Sequence, residues 1–215
     1  MSGQVARERI YVIALALAIE GGLAFLAMFL GWLLHQPPLE TLAFTVRDTL
    51  IGIAATLPLI LMFFAILRWP VGPLAGLRRF TLEVLCPMLA PCTAPDLLAI
   101  AILAGFGEEM LFRGTLQALF AKGGGIWIGL ATASVLFGVL HAITPTYAVL
   151  ASLIGAYLGG LWLLTGNILA PIIVHALYDF AVLYYLLAGP GRVLWERTEQ
   201  ASPGADSTSS TEDGA

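Results

Sequence analysis

Apolar residues run almost without interruption through six stretches of this chain, at 10–34, 49–67, 95–120, 126–142, 147–165 and 168–188. Each is near the ~20 residues that carry a helix across ~30 Å of hydrocarbon. Helix is the expected form there, because hydrocarbon offers no water to satisfy open backbone groups. Thr93-Ala94-Pro95-Asp96 reads as a helix start, with a capping hydroxyl followed by Pro and Asp in the first turn. Gly123-Gly124-Gly125, Thr144-Pro145 and Gly166-Asn167 separate the later helices. Residues 74–91 differ, mixing Arg78, Arg79 and Glu83 with Leu77, Leu82, Leu85 and Leu89. That pattern suits a helix lying at the interface, or one packing its apolar face on the bundle. From residue 189 the chain turns to Ser, Thr, Pro, Gly and acids, too polar to build a core. The expected fold is therefore all-α: a polytopic transmembrane bundle of about six spanning helices plus an interfacial helix. Residues 1–188 form the membrane domain and 189–215 a disordered polar tail.

Composition sharpens this class. Of 215 residues, 59% are hydrophobic and only 11% charged, against about 25% charged in soluble domains; the mean hydropathy is +0.91. The net charge of −4 sits mostly in the polar C-terminal segment, which contributes −3. No basic stripe suits nucleic acid. Arg7 and Arg9 precede the first apolar run, but that run far exceeds the ~7–15-residue core of a signal peptide. It is expected to be a retained first span. With the N-terminus cytoplasmic, seven Lys and Arg lie on the inner side and two, Arg47 and Lys122, on the outer. This places both termini in the cytoplasm. Cys86 and Cys92 then face a reducing compartment and read as small apolar residues.

Charges inside apolar spans are costly, so they mark candidate chemistry. Glu109 and Arg113 stand four residues apart and share a helix face, where they can pair. Glu108 points roughly 100° away and has no such partner. His141 follows Phe137 by one turn near the end of the fourth span, and His175 and Asp179 share a face of the last. At ~1.5 Å per residue, Glu108 and His175 reach a common depth, while His141 lies ~10 Å shallower.

Two histidines and one or two carboxylates are ligand types for zinc, with a fourth position for water whose pKa the metal lowers. The same groups can run hydrolysis without metal, Glu108 acting as general base while the others hold water and stabilise an oxyanion. No Gly-x-Ser-x-Gly elbow, phosphate loop or His-Glu-x-x-His motif offers a competing chemistry.

Glu-Glu-x-x-x-Arg at 108–113, Phe-x-x-x-His at 137–141 and His-x-x-x-Asp at 175–179, with Asn-Ile-Leu-Ala-Pro-Ile-Ile-Val-His-Ala at 167–176, together resemble the CAAX prenyl endopeptidase and bacteriocin-processing (Abi) family of intramembrane proteases. The resemblance covers about residues 96–187. It implies a membrane peptidase, a metalloendopeptidase by the family's naming, cleaving a membrane-associated or prenylated-type substrate through a Glu/His-activated water. Glu108, His141, His175 and Asp179 would be catalytic, and Glu109 and Arg113 supporting. Glu108, His141 and His175 would hold a divalent metal, zinc, if one is used. Members that process prenylated proteins often carry Asn where this chain has Asp179, which bears on the substrate. A rival from another class is a non-catalytic scaffold, such as a bacteriocin self-immunity protein on the same fold. The expected setting is the cytoplasmic membrane, and the expected partners are a peptide or protein substrate and the bilayer.

Overall fold

The computed structural model describes residues 3–200, and for 198–200 the backbone alone. Eight helices follow one another: α1 Gly3–Leu33, α2 Val46–Arg68, α3 Pro73–Leu89, α4 Ala94–Gly124, α5 Ile126–Leu140, α6 Pro145–Thr165, α7 Leu169–Leu187 and α8 Arg192–Gln200. No strand occurs among the described residues, so the all-α polytopic class holds. Local signals explain the breaks. The Thr45 hydroxyl accepts from Asp48 N–H to cap α2, and Thr93 and Asp96 form a capping box at α4. Thr144 caps α6 with Pro145 in its first turn. Gly125, at φ +90°, divides α4 from α5, a conformation open to glycine at little cost.

Helices α1, α2, α6 and α7 are each long and apolar enough to cross a membrane, and α3 with α4 passes as one span bent by 115°. That makes four or five spans by length, against about six expected. The expected fourth span is α5, with 15 residues. It stops at Leu140 because Pro145 restarts the chain: proline lacks the N–H to continue a helix and disfavours helical backbone just before it.

Large apolar side chains face outward, among them Phe25, Trp32, Phe44 and Trp127, each more than 70% exposed. Patches of this size are rare on soluble monomers and suit a lipid-facing surface. Inside, Phe63, Leu82, Cys86, Leu97, Leu186 and Trp195 form one core cluster. It shows that α3 presses its apolar face onto the bundle. It also shows that the segment beyond 189 begins with an ordered helix: α8 anchors through Trp195, where a disordered tail was expected. Residues 201–215 of that tail lie outside the described residues. Cys86 and Cys92 are both free thiols.

Two glycines on α4 set how closely its neighbours approach. A Cβ at Gly105 would lie 2.8 Å from the Ala176 nitrogen of α7, and one at Gly107 would lie 2.6 Å from the Glu20 carbonyl oxygen of α1. Just after Glu109, residues 110–117 wind as a π-helix. Such wide turns are uncommon and recur at functional sites.

Candidate active site

The site is built on α4, where two adjacent carboxylates receive different surroundings. Glu109 is fully buried. Its Oε1 accepts from Arg113 Nη1 at 2.7 Å and from His175 Nδ1 at 2.9 Å. Arg113, only 1% exposed, also donates from Nη2 to the Gly155 carbonyl of α6 at 2.8 Å. Its guanidinium stands 4.8 Å from the centre of the Phe137 ring, close enough for a cation–π attraction. One turn further, Gln117 Nε2 donates to the Gly159 carbonyl.

Glu108 turns the other way. It is 7% exposed, and its Oε2 is buried without a hydrogen-bond partner. That oxygen lies 3.7 Å from His141 Nε2 and 4.0 Å from His175 Nε2. Asp179 Oδ2 stands 3.5 Å from the same His175 nitrogen. The structure thus brings together Glu108, His141, His175 and Asp179, with Glu109 and Arg113 behind them. The depth mismatch expected for His141 does not arise, because the chain turns at the end of α5 and the ring reaches Glu108.

Both imidazoles are oriented by their second nitrogen. His141 Nδ1 lies 2.8 Å from the Phe137 carbonyl, which can only accept, so Nδ1 carries the hydrogen. The Phe137 ring stacks on His141 with centres 4.4 Å apart, which explains why Phe and His are paired one turn apart. His175 Nδ1 donates to the Glu109 carboxylate. In their neutral forms both rings therefore present a bare Nε2 toward Glu108. Histidines that act as metal ligands or bases are held in this way, by an outer partner on the far nitrogen.

A cavity of about 850 Å³ reaches Glu108 and Asp179 of this cluster. Tyr147 and Glu20 line it with them, and Arg7, Glu8 and Arg78 also line it. Sequence reasoning passed over Glu20 and Tyr147. Glu20 carried a usable signal, an acid in the middle of an apolar run; Tyr147 carried none. The donor chemistry suits zinc, and the unpartnered Glu108 Oε2 faces the two bare imidazole nitrogens. Even so, no group of three or more His, Cys, Asp or Glu side chains among the described residues stands in a metal-holding arrangement.

Fold and site together define a multi-pass helical membrane protein with a Glu/His/His/Asp cluster, buried at Glu108 and His175 and half-buried at His141 and Asp179, beside an apolar cavity. Residues 89–181 match the family model for type II CAAX prenyl endopeptidase Rce1-like proteins. That segment holds all six site residues from Glu108 to Asp179. The uncharacterized protein YpbD of Bacillus subtilis (strain 168) is 28% identical over 134 residues, 60% of this chain and 63% of that relative. The chain thus spans less than two thirds of that relative's length. No solved structure matches.

Proposed function

We propose that the protein is an intramembrane endopeptidase in which Glu108 activates the attacking water. The observation carrying this reading is the buried, unpartnered Glu108 Oε2 facing two imidazole nitrogens, on a residue that lines an apolar cavity. A water at about 2.8 Å from both Glu108 and His141 fits beside the 3.7 Å line joining them, within ordinary hydrogen-bond lengths. Glu108 takes its proton as the oxygen adds to the scissile carbonyl, forming the C–O bond. His175, once protonated, donates from Nε2 to the resulting oxyanion, with Asp179 beside it to favour the charged ring. The C–N bond then breaks and Glu108 returns the proton to the departing amine. Glu109, held by Arg113, engages His175 Nδ1–H and so fixes the ring orientation this requires.

A divalent ion such as zinc, if bound, would be held by Glu108, His141 and His175 and would make water a stronger nucleophile. The steps above need the side chains alone. The substrate is a peptide or protein in the membrane, with an apolar or lipidated portion that suits the cavity walls. Counted over six spans, with α5 as the fourth, the seven-to-two distribution of Lys and Arg supports a cytoplasmic membrane with both termini inside. The test is cleavage of quenched fluorescent acyl-peptides by purified, reconstituted protein beside Glu108→Gln, with metal content measured on both. Cleavage that persists in Glu108→Gln overturns the reading. Cleavage with stoichiometric zinc moves the activation of water to the metal.

A further inference from the structure

Acidic groups buried in these helices almost all have a partner. Glu109 has Arg113 and His175, Asp96 has Arg9, Asp48 has Thr45 and Asn167, and Glu108 and Asp179 stand beside imidazoles. Glu20 is the exception among the described residues. It sits in the middle of α1, its Oε2 is buried without a hydrogen-bond partner, and no cation stands within ion-pair distance. A carboxylate in that position is expensive to keep unless something else satisfies it.

Its place is fixed rather than incidental. The bare Cα of Gly107 lets the Glu20 backbone lie directly against the turn of α4 that carries Glu108. Both residues line the same cavity, with Asp179 and Tyr147. Arg7 lines it as well, 13 residues earlier on α1 and so about 20 Å away along the helix. The cavity therefore carries Arg7, Glu8 and Arg78 as well as Glu20, Glu108 and Asp179 among mostly apolar walls, and Arg7 lies too far along α1 to pair with Glu20. Glu20 also falls outside residues 89–181, in a helix contributing nothing to the family match.

We propose that Glu20 is a specificity-determining residue of this site, and that it selects substrates carrying a Lys or Arg side chain beside the bond that is cleaved. The cation would be held by Glu20 Oε2 while its backbone is presented to Glu108. This rests on the peptidase reading above, and the test separates the two.

Two pools of N-palmitoylated, quenched fluorescent decapeptides, with lysine or its uncharged isostere norleucine at each position in turn, would be offered to protein in liposomes. Wild type is expected to prefer lysine at one position by about tenfold in kcat/KM, the order expected of one charge-assisted hydrogen bond. Glu20→Gln and Glu20→Ala are expected to bring that ratio to about one, with thermal unfolding confirming that both variants fold. The absence of any lysine-preferring position, or a preference that survives both substitutions, overturns the proposal. If wild type cleaves nothing, the peptidase reading fails. The same peptides are then scored by fluorescence anisotropy for binding. Lysine-dependent affinity lost in Glu20→Gln supports the role of Glu20, and equal binding of both pools overturns it.

Discussion

Arg113→Met is the substitution whose cost follows most directly from the geometry. The guanidinium is 1% exposed and holds two acceptors, Glu109 Oε1 at 2.7 Å and the Gly155 carbonyl at 2.8 Å. Methionine fills most of the space but leaves a carboxylate at 0% exposure with only His175 to satisfy it. Breaking a buried ion pair from one side costs about 3–5 kcal/mol, because the abandoned charge stays buried. For a chain of this length that is a fall in Tm of about 6–20 °C. Glu109→Gln in the same chain removes the stranded charge while keeping an oxygen for His175. The double variant should therefore be more stable than the single effects add up to, by about 1–3 kcal/mol of coupling. Unfolding in mixed micelles, followed by tryptophan fluorescence, gives all four corners of the cycle. An Arg113→Met protein within about 1 kcal/mol of wild type, or strictly additive effects, would refute the reasoning.

Glu108→Gln is expected to unfold like wild type, since its Oε2 makes no hydrogen bond, yet to lose about 10²–10⁴ in kcat as general bases do when removed; single-turnover cleavage measures it. Asp179→Asn should be the mildest of the site changes, within about tenfold in kcat/KM, because the amide still offers an oxygen beside His175 and the Glu109 carboxylate still favours the charged ring; inactivation would show that the Asp179 charge is indispensable or that it binds a metal. Gly107→Ala should lower stability by about 1–3 kcal/mol, since its Cβ would sit 2.6 Å from the Glu20 carbonyl oxygen; thermal unfolding reads it. Phe137→Ala should cost about 3–5 kcal/mol and also lower kcat, because the ring packs against His141 and under the Arg113 guanidinium; a stability loss without a rate loss would refute the link to His141.

The helices could be read because lipid permits little else, so long apolar runs had one interpretation. Glu109 with Arg113 and His175 with Asp179 were legible as neighbours because four residues make about one helical turn. What spacing cannot carry is which nitrogen of a ring faces which oxygen. That depends on contacts between helices, such as His175 Nδ1 meeting Glu109 across 66 positions of sequence. The π-winding of 110–117 has no composition of its own. The α8 helix escaped notice because polar residues outnumber its one anchor, Trp195, and Glu20 because it is a single acid in an otherwise featureless apolar run.

The paired ties from α4 to α6 bear on how this machine can move. Arg113 and Gln117 end on the carbonyls of Gly155 and Gly159, so two pins one turn apart join the same two rods. One pin would permit a pivot; two block rotation and sliding together, and slipping by a turn would break both at once. Glu108 is thus mounted on a rigid frame, and any widening of the cavity falls to its other walls, α1, α2, α3 and α7. Of these, α1 meets α4 through the glycine contact at Gly107, a packed cluster of Leu23 and Ala27 with Met110, Leu111 and Phe112, and a bidentate clasp between Arg9 and Asp96 near one end. A guest arriving from the lipid would have to part walls outside that pinned pair, and would leave the frame that aims the base undisturbed.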